Sequence, residues 1–194
     1  MKLENISNVI AGQIMTRVTD ENGKGEKVKV LVPKAIADGV ILKEELGQAV
    51  LIKDVDEEKY TKEGDVIIKL STPYDAAYVT ADDTGLVIPS FCATIRINDA
   101  SLMDAKYLSA FLNTSYVREQ LISKVLGSAR PMIKINDIRA LELPNVSMRD
   151  MKDIGEAHML SGRKKAILQE MIETESKLME NIVLKSIKEG IDNE

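Results

Sequence analysis

Residues 63–79 read EGDVIIKLSTPYDAAYV and place a turn, a strand and a rigid loop in direct succession. Gly64 and Asp65 are turn-forming residues, and the apolar run from Val66 to Leu70 predicts a strand. The following Ser71-Thr72-Pro73-Tyr74 predicts a loop that carries hydroxyl groups and an aromatic ring. This stretch therefore supplies one strand of a sheet with turns on both sides.

The neighbouring segments add further strands and one helix. KVKVLV (27–32) alternates polar and apolar residues, while QAVLIKDV (48–55) and TGLVIPSFCATIRI (84–97) are also typical of strands. Residues 104–125 have helical spacing behind Asp104 as N-cap, and 127–144 predict a loop and a final strand. We predict an α+β domain over residues 1–147, with a strongly curved, mostly antiparallel sheet and one packed helix.

Residues 148–194 contain no proline and predict a long amphipathic helix, which Gly155 and Gly162 are expected to interrupt near its start. Two arrangements are open: the helix folds back over the sheet, or it forms a coiled-coil seam with a helix of a second copy or of a partner protein. The residues predicted for such a dimerisation seam are Leu160, Ile167, Leu168, Met171, Ile172, Leu178, Met179 and Ile182.

Composition limits the possible functions. The net charge is −5 and the sequence pI is about 5.1, so no global positive field attracts nucleic acid or membranes. The single cysteine, Cys92, precludes an intramolecular disulfide and fits a reducing compartment. The sequence has no apolar run long enough to span a bilayer. We expect a cytoplasmic protein without a membrane partner.

The sequence also argues against catalysis. Ser71-Thr72-Pro73-Tyr74 is similar to the Asp/Asn/Ser-Pro-Pro-Tyr/Phe loop of adenine methyltransferases, but it lacks the first proline, and no glycine-rich cofactor turn is present. The only histidine, His158, is expected on the surface of the helix, and Cys92 is expected to be buried in a strand. We predict a non-enzyme with no catalytic residue, no cofactor and no metal site.

Polar and basic side chains gather instead in several loops, as expected of a nucleic-acid reader. Arginine and lysine contact phosphates or guanine edges, and hydroxyl groups donate to phosphates. For Tyr74, packing over the edge of the sheet is an equally good alternative. The residues predicted to contact DNA are Arg17, Lys34, Lys69, Ser71, Thr72, Tyr74, Ser128, Arg130 and Lys134.

The order of the segments resembles one target-recognition half of a Type I restriction-modification specificity subunit. The resemblance covers nearly the whole chain. It lies in the Gly-Asp turn before an apolar strand, SFCATIR (90–96), YLSAFLN (107–113), GSARPMIKINDIRALELP (127–144) and the long helix. These segments occur in the same order in that family, whose helical spacer corresponds to residues from 148 onward.

The resemblance implies a non-catalytic subunit that binds a specific double-stranded DNA sequence. Such a subunit directs a modification methyltransferase, and in some complexes a restriction subunit, to that sequence. The usual subunit has two recognition domains separated by antiparallel helices, whereas this chain has one of each. The resemblance therefore implies a homodimer through the helix, which would read two half-sites separated by a spacer.

A second hypothesis is a recognition-domain-like interaction or regulatory module that dimerises without reading DNA. Residues 1–147 contain 18 Lys and Arg against 21 Asp and Glu, a balance that favours this alternative. Salt-sensitive DNA binding distinguishes the two hypotheses, because phosphate contacts weaken as ionic strength rises.

Overall fold

The computed structural model describes residues 1–20, 24–125 and 131–191, with side chains described as far as residue 188. The described part of the first hundred residues contains eight strands: β1 Ser7–Ala11, β2 Glu26–Val30, β3 Ile36–Ala37, β4 Val40–Ile41, β5 Gly47–Leu51, β6 Val66–Lys69, β7 Ala76–Tyr78 and β8 Cys92–Ile97. Four α-helices follow them: α1 Ala105–Leu112, α2 Ser115–Val125, α3 Ile135–Arg139 and α4 Met148–Ile191.

The main sheet has four strands in the order β1-β8-β6-β7, and every neighbouring pair is antiparallel. Two smaller antiparallel pairs, β2–β5 and β3–β4, lie beside it. All four residues of β6 are buried, because both faces of the main sheet are covered. Val66 and Ile68 enter the core under the helices, and Ile67 enters a second core on the opposite face.

The predicted α+β class, the antiparallel strands and the long C-terminal helix are confirmed. The expectation for Cys92 is also confirmed: it is fully buried in β8, and this burial raises the pKa of its thiol to about 12. A thiol with such a pKa stays protonated at neutral pH, so Cys92 is a packing residue.

Two details of the prediction are wrong. The single helix expected over 104–125 is two helices, because Asn113 turns its amide toward the sheet and bonds both backbone groups of Ala76, at 2.8 and 3.1 Å. The Thr114 hydroxyl then accepts from the backbone N–H of Val117 and starts α2. The final strand expected before Pro144 is instead the short helix α3.

Two of the segments behind the family resemblance meet in the folded chain. Gly64 has φ +87°, a left-handed conformation that suits glycine, and it aims Asp65 at the end of β8. The Arg96 guanidinium donates two hydrogen bonds to the Asp65 carboxylate, at 2.7 and 2.8 Å. The Gly-Asp turn and the arginine of SFCATIR therefore form one structural fork that joins β6 to β8.

The first five turns of α4 pack against the domain through a stripe of small and flexible residues. Met151 and Met159 are buried. Gly155 and Gly162 have no side chain and let the backbone of α4 approach the domain closely. A Cβ added at Gly155 would lie 2.7 Å from the backbone nitrogen of Tyr107. The expected interruption at these glycines is wrong: both lie within a continuous helix, and they let it dock.

Beyond this docked stripe α4 continues for about seven turns, along which its large apolar side chains are exposed. The helix has 44 residues, so it is about 66 Å long at 1.5 Å per residue. At 100° per residue, Gly162 lies on the opposite side of the helix from Met171 and Ile182. The fold-back arrangement therefore applies only to the first five turns of α4, because the large apolar side chains beyond them are exposed.

His158 lies inside the docked region and not on the surface as expected. Its ring packs against Gly39, which has φ +88° in the turn between β3 and β4. Burial lowers the pKa of His158; nearby Lys165 lowers it further, and Asp38 opposes the shift. The neutral imidazole is therefore a packing group where α4 meets the β3–β4 turn.

Candidate nucleic-acid interface

One edge of the main sheet collects the loops that carry most of the predicted contacts. β1 and β6 run in the same direction, so their carboxyl ends lie beside the amino ends of β7 and β8. The segment after residue 130 joins this edge through a bridge between Ser71 and Met132 and a 2.9 Å bond from Ile133 N to Leu70 O. We call segments 12–20, 70–75, 88–91 and 131–134 the loop edge.

An internal ion-pair network holds the 70–75 loop in shape. The Asp75 carboxylate accepts from the Lys69 ammonium at 2.7 Å and from the Arg118 guanidinium at 2.7 Å. Tyr74 adopts φ +60°, and its ring is fully buried in the core under the helices. Ser71 is half-buried and Thr72 is exposed at the tip of this loop.

This geometry corrects two of the predicted DNA contacts. Lys69 is 7% exposed and its charge is matched by Asp75, so it holds the loop and does not reach solvent. Tyr74 is 0% exposed, and the packing alternative applies to it. Neither residue is placed to contact DNA, whereas Ser71 and Thr72 remain predicted contacts.

Arg17 and Lys134 lie on the loop edge with exposed side chains. Arg17 ends a 3-10 turn after β1, and the next residues bond to β5 through Ile52 N to Val18 O, at 2.8 Å. Lys134 precedes α3, and its backbone N–H donates to the Asp137 carboxylate at 2.8 Å. Arg17 therefore faces solvent beside the β2–β5 pair, and Lys134 faces solvent beside the 70–75 loop.

The other predicted contacts are placed differently. Lys34 is exposed but pairs with the Glu45 carboxylate, and none of its described contacts joins it to the loop edge. Ser128 and Arg130 lie outside the described residues. The loop edge thus brings together Arg17, Ser71, Thr72 and Lys134 from the predicted set.

Several carboxylates of the domain are engaged in ion pairs, whereas two cations of the loop edge are not. Asp65, Asp75 and Glu45 each pair with a lysine or arginine elsewhere in the described chain. The side chains of Arg17 and Lys134 form no ion pair with any described residue. Unpaired cations on exposed loops are the groups that phosphate contacts require.

The predicted seam residues all have exposed side chains, and all but Leu160 lie beyond the docked turns of α4. Their exposed fractions are all close to one half or above, which is unusual for large apolar side chains. They are Leu160, Ile167, Leu168, Met171, Ile172, Leu178, Met179 and Ile182. A hollow of about 380 Å³, lined in part by Val40, Leu42, Leu168 and Ile172, opens where the helix leaves the domain.

Comparison with solved structures defines the class of fold. The chain is similar to the HsdS subunit from Thermoanaerobacter tengcongensis, with a TM-score of 0.62 and 19% identity over 92% of this chain. It is also similar to a protein from a structure of type I R-M system assembly and conformational transition. That match has a TM-score of 0.62 and 16% identity over 91% of this chain. A third similar structure is the S subunit of the Type I restriction-modification system of M. genitalium, with a TM-score of 0.54 and 12% identity over 88% of this chain.

The chain therefore has the fold of one half of a Type I restriction-modification specificity subunit. It spans about half the length of these proteins, since the matches cover 46%, 45% and 40% of their chains. No protein-family model and no curated protein sequence matches it. Among the described residues, no helix has the length and apolarity needed to cross a membrane.

Proposed function

We propose that this chain is a non-catalytic DNA-recognition subunit of a Type I restriction-modification system, built as a half-subunit. The observation that carries the proposal is the likeness to specificity subunits over about nine-tenths of the chain. The loop edge adds a chemical reason, because it presents Arg17, Lys134 and the Ser71 and Thr72 hydroxyls on a rigid sheet. These groups suit phosphate contacts, which position a protein on duplex DNA.

We also propose that the chain completes itself by pairing α4 with α4 of a second copy. Its exposed apolar residues recur at steps of 7 and 4, as in Leu160, Ile167, Met171, Leu178 and Ile182. This 11-residue repeat corresponds to about 3.67 residues per turn, close to a straight helix. A second copy supplies an identical stripe.

A two-fold dimer carries two identical loop edges in opposite orientations, so its DNA target is an interrupted inverted repeat. The complex would direct an adenine-modifying methyltransferase, and in some assemblies a restriction subunit, to that site. We place it in the cytoplasm, where DNA and reducing conditions coexist and a thiol such as Cys92 stays reduced.

Replacing Arg17 and Lys134 together by alanine is expected to weaken binding to a random-sequence duplex at low salt. Each lost phosphate contact lowers the slope of log K against log[salt] by about 0.9, so the double variant loses roughly two units of slope for each bound chain. Fluorescence anisotropy across a salt series measures this. The matched control is Lys62→Ala with Lys152→Ala, two exposed lysines at the opposite edge of the sheet.

Equal slopes for the wild type and the Arg17/Lys134 variant would remove the loop edge from the DNA interface. Absence of salt-dependent binding by the wild type would favour the alternative, a dimeric interaction module that does not read DNA. The overall acidic charge is the observation that favours this alternative.

A further inference from the structure

The β2–β5 pair is a two-stranded ribbon with one polar, exposed face. Directly opposite residues of an antiparallel pair lie on the same face, and successive residues alternate between faces. Lys27 lies opposite Val50, and Lys29 lies opposite Gln48. One face of the ribbon therefore carries two lysines, an amide and a small apolar side chain.

The opposite face of the ribbon is the inward one. It carries Val28 and Ala49, which are half-buried, and Val30 and Leu51, which are buried, with the exposed Glu26 at its end. Packing thus explains why these positions are apolar, but it does not explain the outer face. Lys27, Lys29 and Gln48 are all exposed there, and their side chains bond to no described residue.

The outer face continues directly into the loop edge. Residues 18–20 run beside β5, with Asp20 N bonding to Val50 O and Thr19 bridging to Leu51. Thr19, Asp20, Lys27, Gln48 and Val50 together line a shallow hollow of about 360 Å³. A duplex whose phosphates rest on Arg17 would therefore pass over this face of the ribbon.

We propose that the outer face of the β2–β5 ribbon lies in the major groove and reads base edges, with Lys29 and Gln48 as the specificity-determining residues. The inference rests on the proposed function and names the part of the surface that reads sequence. The major groove admits a two-stranded β-ribbon; lysine matches the O6 and N7 acceptors of guanine, and glutamine pairs with N6 and N7 of adenine. Val50 adds an apolar contact of the kind made to a thymine methyl group.

This assignment gives one surface two separate functions, positioning of the duplex and reading of its sequence. Hydroxyls and unpaired cations of the loop edge position the duplex without reading it, while the ribbon supplies side chains with base-specific geometry. Lys29 and Gln48 are suited to reading because they lie in paired strands. A side chain on a strand keeps its direction more closely than one on a loop, and base readout needs that precision.

The test begins with the full chain and a random-sequence duplex library, from which bound duplexes are selected and sequenced. Lys29→Met and Gln48→Met are then measured on the selected duplex and on a scrambled duplex of the same composition. Each is expected to lose roughly 5- to 150-fold for each half-site of the selected duplex, the range of one base-pair-specific contact. On the scrambled duplex, Gln48→Met is expected to bind like the wild type, because it removes no charge.

Matched controls lie at the other edge of the sheet. Asn98→Ala removes an exposed amide beyond the end of β8, and Lys152→Met removes an exposed lysine on α4. Both are expected to leave the preference for the selected duplex unchanged. Unchanged thermal unfolding of all four variants would show that the exposed substitutions leave the fold intact.

The outcomes separate this inference from the proposed function. If the wild type prefers the selected duplex and both ribbon variants keep that preference, the ribbon does not read bases, and the proposed function stands. If the wild type enriches no sequence from the library, the proposed function fails, and the ribbon assignment fails with it.

Discussion

Met171→Glu is expected to convert a dimer of the chain into a monomer. Met171 lies at the centre of the exposed apolar side of α4, and its side chain is 62% exposed in the isolated chain. Burying such a side chain is worth about 1.5–3 kcal/mol, and a two-fold dimer buries it twice. Two carboxylates in the apolar seam add a desolvation cost, so the dimer dissociation constant should rise by at least about 100-fold.

Sedimentation equilibrium over a concentration series measures this shift. The control is Lys177→Glu, which adds a carboxylate to the opposite side of the same helix and should leave the mass unchanged. The domain should remain folded in both variants, because Met151 and Met159 dock the start of α4 independently of the seam. A Met171→Glu variant that dimerises as strongly as the wild type would place the seam elsewhere.

Asp75→Ala is expected to destabilise the domain by about 3–5 kcal/mol, the usual cost of breaking a buried ion pair by removing one partner. The carboxylate accepts from Lys69 and from Arg118 and closes the 70–75 loop between them. Without it, the Lys69 ammonium remains in the interior with its side chain 9% exposed and no countercharge. Urea unfolding of the single variant measures the loss.

The double variant Asp75→Ala with Lys69→Met tests the reason for this loss. Replacing both partners of a buried pair by apolar groups is often close to neutral, so the double variant should recover much of the stability. Arg118 is one-third exposed and can turn toward water. If Asp75→Ala costs less than about 1 kcal/mol, the network is a surface pair of ordinary strength and does not fix the loop.

Local periodicity was sufficient to predict the elements with strong patterns. The buried strand at 66–69, the Asp104 cap and the long helix each depend on residues within a few positions of one another. β1 was missed because SNVIA (7–11) has no clear alternation, and its burial follows from pairing with β8 about ninety residues later. α3 was missed because INDIR is too short for helical spacing to show.

The predicted site was less accurate because charge pairing is non-local. Lys69 and Tyr74 were grouped with an exposed polar loop, but pairing with Asp75, which Arg118 also holds, and the core under the helices decide their placement. Gln48 was overlooked because it lies outside the lysine-rich loops, and only strand register places it opposite Lys29. The exposure of Arg17 and Lys134 was predictable, since isolated cations beside turn residues tend to stay exposed.

The most direct test of the half-subunit account is the symmetry and stoichiometry of the duplex selected by the full chain. We expect an interrupted inverted repeat with a fixed spacer. Native mass spectrometry of the complex should show two 21.5 kDa chains on one duplex. A single uninterrupted site bound by one chain, or a library from which no sequence is enriched, would contradict the account.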